Sequence, residues 1–160
     1  MSNGQLVNGF LHPEVGHMRI PSEGVNGICP FHGDCVEGLV SGPAIAARAG
    51  ADATQLSDDN PIWGEVAINI ADLCQNMLLT VAAKKIILGG GVMGRRGLIN
   101  RVRTAMDQRL AGYLPLDERV GGLDQIIVSP DLADRSGLVG AFILAAEQQR
   151  DNSGQPQQNE

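Results

Sequence analysis

The chain has 160 residues, of which 43% are hydrophobic and 3% aromatic, and its formal net charge at pH 7 is −6. This length predicts one domain with a real core, because domains commonly run to about 100–150 residues. The acidic balance and the scarcity of aromatic rings argue against a nucleic-acid partner. No segment approaches the roughly 20 apolar residues that span a bilayer, and the N-terminus lacks the order of a signal peptide, so we expect a cytoplasmic protein with no membrane partner.

The first 35 residues combine short apolar runs with residues that favour turns. Segments 5–11 (QLVNGFL) and 16–20 (GHMRI) are typical of short strands bounded by Gly, Asn or Pro. The stretch 21–35 is rich in Gly, Pro, Ser and Asn and has no periodicity, which predicts a loop that would be floppy without a cross-link. We therefore expect a hairpin-like start and then an irregular loop.

Two helical patterns follow this loop. Apolar residues recur at helical spacing from Val36 onward, and Ser41 and Pro43 predict that the helix breaks and restarts near Gly42, with Ser41 as the cap. The segment 61–83 is the longest amphipathic one and predicts a helix that begins close to Pro61. Its expected apolar face consists of Val66, Ile70, Leu73, Met77, Leu78 and Val81.

The remainder of the chain alternates strand and helix patterns. The predicted elements are a buried strand at 85–88, a glycine turn at 89–91, a helix at 98–110, a strand at 125–129 and a helix at 137–150. This alternation favours an α/β fold with a parallel or mixed sheet. Residues 151–160 have no apolar anchor, so we expect a disordered tail there.

The stretch 12–35 contains all three histidines of the chain and two of its three cysteines. Cys29, His32 and Cys35 follow C-x2-H-x2-C spacing, and His17 comes twelve residues before Cys29. Because zinc prefers tetrahedral coordination by thiolate and imidazole, these four residues are the predicted ligands of a structural zinc ion that closes the loop 17–35. The alternatives are a solvated loop with incidental thiols, or an exposed disulfide between Cys29 and Cys35.

A second motif is the glycine-rich turn LGGGVMG. It contains G-x-G-x-x-G as Gly89, Gly91 and Gly94, between a predicted strand and a predicted helix. Glycines at a strand end let the backbone approach a flat ligand or a phosphate closely. A nicotinamide enzyme would place an acidic residue at the end of the next strand, and QIIVSP has none. A purely structural tight turn is the other interpretation.

Taken together, HPEVGHMRI, CPFHGDCVEGLVSGPAI and ILGGGVM resemble the second half of a ROK-family sugar kinase (repressor, open reading frame, kinase). The form CPFHGDC resembles the bacterial fructokinases in particular, and the resemblance covers nearly all of residues 3–148. It implies an RNase H-like fold of the actin/hexokinase type. Residues 1–150 would form its C-terminal lobe, with a mixed sheet that lacks its first strand and with a zinc-stapled loop.

The resemblance also implies a role for individual residues. Glu14, His17 and Glu37 would face the hydroxyls of the hexose, and His17 would be a zinc ligand as well. The nucleotide would lie against Pro43, Gly89, Gly90, Gly91, Val92 and Met93. The cofactors implied are ATP with Mg²⁺, and a zinc ion that is structural because four protein ligands leave it no open position. Most ROK members have a cysteine-richer C-x-C-G-x2-G-C knuckle, so His32 is a departure that fits the fructokinase branch.

The family's phosphate loop and its general base lie in an N-terminal lobe that these 160 residues do not contain. No residue here is therefore assigned as the base. We expect that the chain is inactive on fructose or a related hexose until that lobe is supplied, that it is marginally stable alone, and, from the resemblance, that it forms a homodimer. The alternative is a noncatalytic, zinc-stabilised module for sugar binding or dimerisation.

Overall fold

The computed structural model describes residues 6–7 and 9–153. Its helices are α1 (Val36–Val40), α2 (Gly42–Ala49), α3 (Ile62–Val81), α4 (Leu98–Leu110), α5 (Leu116–Val120), α6 (Leu123–Ile126) and α7 (Ser136–Ser153), and its strands are β1 (Ile86–Ile87) and β2 (Ile127–Val128). Single turns of 3₁₀ helix occur at Val15–His17, Ala53–Gln55, Val92–Gly94 and Ala133–Arg135. One compact unit ends at Val128, and a second begins at Ser129.

The core of the first unit is built mainly from α3 and α4. Both helices bury one apolar face, and the fully buried side chains include Val66, Cys74, Leu98, Val102 and Met106. Burial raises the pKa of the Cys74 thiol to about 12, as is typical of a cysteine that serves in packing. The helix predicted at 98–110 is confirmed residue for residue, and that at 61–83 is confirmed within two residues at each end.

Val81 is a correction to the predicted apolar face of α3, because its side chain is 60% exposed. It occupies the last position of the helix. Conversely, the buried face contains a carboxylate: Asp72 is 5% exposed, and its Oδ1 accepts a hydrogen bond of 2.6 Å from Arg109 Nε on α4. This ion pair fastens the two helices together.

The predicted break near Gly42 is confirmed. Helix α1 ends at Val40, and the Ser41 hydroxyl oxygen accepts a hydrogen bond from the backbone N–H of Ala44 at the start of α2. Pro43 lies in the first turn of α2, where its missing N–H leaves no unpaired donor.

The strands are shorter than the sequence predicts. Of residues 85–88, two form β1, which pairs in parallel with β2 through Ile86↔Ile127 and Ile87↔Val128. The parallel direction is correct, but Ile87 is 64% exposed, so this strand is not the buried one expected. Residues 125 and 126 close helix α6 instead of starting the second strand. In the described part of the chain the expected mixed sheet is thus a two-stranded parallel sheet.

The hairpin-like start is also wrong where the structure describes it. Residues 15–17 form a 3₁₀ turn, and the only pairing in 16–20 is a single bridge between Arg19 and Cys35. Residues 6–7 and 9–11 form no strand, while Gln5 and Asn8 lie outside the described residues. A short apolar run becomes a strand only when a neighbouring strand accepts its hydrogen bonds.

The second unit consists of a 3₁₀ turn and α7. This helix begins one residue before the predicted 137–150 and continues through residues 151–153, which we expected to be disordered. Residues 154–160, the rest of the predicted tail, lie outside the described residues. None of the helices described combines the length and apolarity needed to cross a bilayer.

Candidate functional site

The four predicted zinc ligands converge in space although they span nineteen positions of the chain. Their ligand atoms all lie within 4.8 Å of one another. His17 Nδ1 is 3.8 Å from Cys29 Sγ and 3.8 Å from Cys35 Sγ, and His32 Nδ1 is 3.8 Å from Cys29 Sγ. Cys29 and Cys35 are free thiols, so the alternative disulfide is not formed in this structure.

This arrangement fits a tetrahedral metal ion. With bonds of about 2.3 Å to sulfur and about 2.0–2.1 Å to nitrogen, adjacent sulfur and nitrogen ligands of zinc lie about 3.6 Å apart. The sulfur–nitrogen distances of 3.8 Å are close to that separation. Two thiolates and two imidazoles are also a donor set that zinc prefers over Mg²⁺ or Ca²⁺. The residues present are therefore suited to a closed, structural zinc site.

Local backbone structure positions the two cysteines. Cys35 is the N-cap of α1, and its sulfur accepts a hydrogen bond of 3.4 Å from the backbone N–H of Gly38. Cys29 forms a tight turn with Gly33, whose N–H donates to the Cys29 carbonyl oxygen at 2.9 Å. The loop thus owes its shape to backbone hydrogen bonds as well as to the cluster of side chains.

Two glycines, Gly27 and Gly38, let this loop pack closely, and neither was predicted from the sequence to have this role. A Cβ atom added at Gly27 or at Gly38 would overlap the carbonyl oxygen of Gly33, and one at Gly38 would also lie 2.9 Å from Cβ of Cys29. Ile28 N–H donates to the Gly38 carbonyl oxygen at 2.9 Å, and this hydrogen bond ties the loop to helix α1. Gly38 lies within the helical pattern that starts at Val36, and that unusual position was the available signal.

The two thiols differ electrostatically. The backbone N–H groups of His32 and Phe31 point at Cys29 and lower its pKa to about 6. Burial raises the pKa of the Cys35 thiol, with a smaller opposing contribution from the Gly38 N–H group. Since a metal binds thiolate and not thiol, Cys29 is the ligand that is ready for coordination at neutral pH.

Of the two carboxylates expected to face a sugar, that of Glu37 lies beside the cluster. Its Oε2 is 3.3 Å from His17 Nε2, so that the two ring nitrogens of His17 face the carboxylate and the thiols respectively. The Glu37 side chain is 59% exposed, which leaves it accessible to a ligand. The carboxylate of Glu14 pairs instead with His12, while the Glu14 carbonyl oxygen accepts a hydrogen bond from His17 N–H.

A cavity of about 700 Å³ lies in the first unit. Its lining includes Gly91 and Val92, and also Gly42, the neighbour of Pro43. The structure therefore brings the GGGVM and SGPAI segments to one cavity. Among the residues expected at the nucleotide, four do not line it: Pro43, Gly89, Gly90 and Met93.

The lining of this cavity also contains three charged residues and a tryptophan that were not predicted to lie at a ligand site. Asp58, Trp63, Arg95 and Arg96 all contribute to the lining. The Arg95 side chain donates to Asp58 Oδ1 at 3.0 Å, and this hydrogen bond lowers the pKa of the Asp58 carboxyl. The Arg-Arg pair directly after GGGVMG was the signal available in the sequence.

The chain is similar to one family model and to several known proteins. The model of the ROK family matches residues 1–148. The chain is 38% identical to "Fructokinase" of Pediococcus pentosaceus over 148 residues and 37% identical to "Fructokinase" of Lactococcus lactis subsp. cremoris over 150 residues, and each alignment covers 91% of this chain. An "N-acetylmannosamine kinase" of Vibrio cholerae is 26% identical over 149 residues, with 80% of this chain covered.

These alignments cover only part of each relative. They include 50% of the Pediococcus protein, 51% of the Lactococcus protein and 52% of the Vibrio protein. The chain thus spans about half the length of the curated relatives that it matches.

Proposed function

The chain belongs to the ROK family, and we propose that it provides the C-terminal lobe, residues 1–150, of an ATP-dependent fructokinase. It would contribute hexose-binding carboxylates, a structural zinc site and the adenosine side of the nucleotide site. The observation that carries this proposal is the position of His17, between the thiols of Cys29 and Cys35 and the carboxylate of Glu37. A cross-linked loop of this kind would hold a sugar-facing carboxylate rigid.

We propose that His17, Cys29, His32 and Cys35 hold the zinc ion. When bound, zinc supplies a cross-link that orders the loop 17–35, and a full set of four protein ligands leaves it no place for substrate. Ordering this loop matters because phosphoryl transfer depends chiefly on positioning and on charge stabilisation.

For the hexose, the proposed contacts are Glu14, His17 and Glu37. A carboxylate can accept hydrogen bonds from several hydroxyl groups at once, and such bonds to a charged group are stronger than neutral ones. The name "Fructokinase" of two similar relatives supports fructose as the substrate. Glu37 is the contact with the strongest structural support, because it already lies beside His17.

For the nucleotide, the proposed site is the cavity lined by Gly91, Val92 and Gly42. Pro43, Gly89, Gly90 and Met93 would support its walls from adjacent backbone positions. ATP would enter with Mg²⁺, which binds phosphate oxygens and would neutralise part of their negative charge during transfer. We propose further that the general base comes from an N-terminal lobe outside these residues. The assembled enzyme would be a homodimer, and it would act in the cytoplasm.

The test is ATP- and fructose-dependent formation of ADP and fructose phosphate by the purified chain, alone and co-expressed with a separate N-terminal lobe. Zinc content is measured on the same samples. We expect about one zinc per chain and turnover only when the second lobe is present. A matched sample with Glu37→Gln controls for contaminating kinases when fructose is kept low, because its weaker binding should then reduce turnover.

The other outcomes separate the alternatives. Turnover by the chain alone would contradict the proposal that the base lies elsewhere. Bound zinc and fructose without turnover in either sample would favour the noncatalytic sugar-binding or dimerisation module. Absence of zinc from folded, active protein would remove the structural role proposed for the Cys/His cluster.

A further inference from the structure

Arg95 is the most firmly held side chain in the wall of the large cavity. Its Nη1 donates to the carbonyl oxygen of Leu56 at 2.8 Å and to Asp58 Oδ1 at 3.0 Å, and its Nη2 donates to the carbonyl oxygen of Ala53 at 2.9 Å. Only 18% of the side chain is exposed. These bonds use three of the five N–H donors in the plane of the guanidinium, so two remain for a ligand.

One face of the Arg95 side chain covers an indole ring. The guanidinium carbon lies 4.5 Å from the centroid of Trp63, which is 2% exposed and lines the same cavity. Trp63 is itself fixed, since its Nε1 donates to the carbonyl oxygen of Ser57 at 2.9 Å. The cation and the ring therefore form a stable pair, held by backbone on both sides.

Arg96 is different although it is the next residue. Its side chain is 89% exposed, and its Nε makes a contact of 3.2 Å with Asp58 Oδ2. Asp58 thus accepts from both arginines, and its backbone carbonyl oxygen also accepts from Arg101 Nη2 at 2.9 Å. The loop around Asp58 is tied to the segment after the glycine turn by three arginines.

We propose that Arg95 contacts the nucleotide base through its flat guanidinium face and makes the cavity selective for a purine. Because three of its five in-plane donors are engaged by protein oxygens, the flat face opposite Trp63 is the larger surface that it can offer to a ligand in the cavity. A purine offers a larger ring surface than a pyrimidine does, so it gains more from such a contact. This inference rests on the proposed function, which places the nucleotide in this cavity.

The test compares ADP and UDP binding by isothermal titration calorimetry, before and after Arg95→Lys, with the full chain co-expressed with its N-terminal lobe. Lysine keeps the charge and can still bond Asp58, but it has no flat face. We expect the preference for ADP over UDP to fall about threefold to tenfold, the range of one cation–π contact. If the mutation only loosened the cavity, both affinities would fall together and their ratio would stay the same, which would overturn the proposal.

The matched control is Arg101→Lys. It disturbs the same loop, through the bond to the Asp58 carbonyl oxygen, but Arg101 does not line the cavity. We expect the ADP/UDP ratio to be unchanged; a fall as large as that of Arg95→Lys would assign the effect to loop anchoring and overturn the role of Arg95.

A second measurement uses the wild-type chain, so it does not depend on the folding of a variant. Trp63 is the only tryptophan in the sequence, and its emission reports on the Arg95–Trp63 pair. We expect adenosine to change this emission and ribose 5-phosphate to leave it unchanged. Binding of ADP without any change in emission would overturn the stacking proposal and leave the proposed function standing, whereas failure of the wild-type chain to bind either nucleotide even when it is co-expressed with the N-terminal lobe would contradict the proposed function itself.

Discussion

His17 and Glu37 are 3.3 Å apart between Nε2 and Oε2, and the opposite nitrogen of the same ring faces the two cysteines. A carboxylate that accepts from the free nitrogen of a metal-binding histidine fixes the orientation of the ring. His17 therefore links the Cys/His cluster to the Glu37 carboxylate through a single ring.

Replacing Glu37 by Gln removes the negative charge but keeps an oxygen that can accept from His17. In the enzyme reconstituted with its second lobe, we expect fructose affinity to fall by about tenfold or more, since a hydrogen bond to a charged group contributes roughly 1.5–3 kcal/mol. Zinc content should be unchanged. The measurements are the KM for fructose and the metal content; equal loss of both would mean that Glu37 chiefly supports the loop.

Cys35→Ser is predicted to lower zinc content and thermal stability together, because serine is a poor zinc ligand and the loop relies on the cross-link. Metal analysis and thermal unfolding measure the two effects. Cys74→Ala is the matched control: Cys74 is buried in the core and lies outside the cluster, so stability should fall without any loss of zinc. Unchanged metal stoichiometry in Cys35→Ser would rule out the set of four ligands.

Gly38→Ala should prevent the loop from closing. The added Cβ would overlap the carbonyl oxygen of Gly33 and crowd Cβ of Cys29, both of which belong to the loop itself. We expect weaker zinc binding and a loss of roughly 1–3 kcal/mol in the free energy of unfolding. Gly64→Ala is the control, since a Cβ there meets nothing within 4 Å and lies inside α3. That change should be neutral or stabilising, and similar losses in both variants would contradict the steric explanation.

A pH dependence follows from Asp58. Its hydrogen bond from Arg95 lowers the pKa of the carboxyl below the ordinary 3.8. The stabilisation is therefore present above that value and is lost as the pH falls through the lower pKa of the folded state. Asp58→Asn should reduce the melting temperature at pH 7, with the difference from wild type shrinking in strong acid. Asp59→Asn, at the exposed neighbouring position, should show no such trend, and a constant difference at every pH would contradict the assignment.

Arg109→Met would leave the buried Asp72 without its partner. We expect the free energy of unfolding to fall by roughly 1–3 kcal/mol, the cost of an unsatisfied buried polar group. The double variant Asp72→Leu with Arg109→Met should recover much of this loss, because removing both members of a buried pair is often nearly neutral. Denaturant unfolding measures both variants. A double variant that is no more stable than Arg109→Met would show that the helices need the ion pair itself.

The sequence predicted best where local rules decide the outcome. The break before Pro43 and the extent of α4 depend on capping and on helical periodicity, and both are confirmed. The convergence of His17 with Cys29, His32 and Cys35 was also predicted from spacing, because two cysteines and two histidines in this pattern are typical of a structural zinc site.

The strands were predicted least well, because strand formation depends on a partner that may be distant in sequence. Residues 16–20 alternate as a strand does, yet the structure forms a 3₁₀ turn at their start. Likewise, the Asp58 carboxylate accepts hydrogen bonds from Arg95 and Arg96, which lie about 40 residues further along the chain. No local sequence pattern predicts these contacts. Only the spatial arrangement reveals which charges meet.

Helix α3 connects the two candidate binding regions mechanically. Trp63, in its first turn, lies under Arg95 at the cavity, whereas Leu73 packs against the small core cluster formed by Ile20, Val36 and Leu39, of which Val36 directly follows Cys35. Ten residues of continuous helix separate them, or about 15 Å at 1.5 Å per residue. A rod of this length without a proline does not bend easily. The helix therefore acts as a rigid spacer that fixes the distance between the cavity wall and the small core cluster next to the cysteine loop.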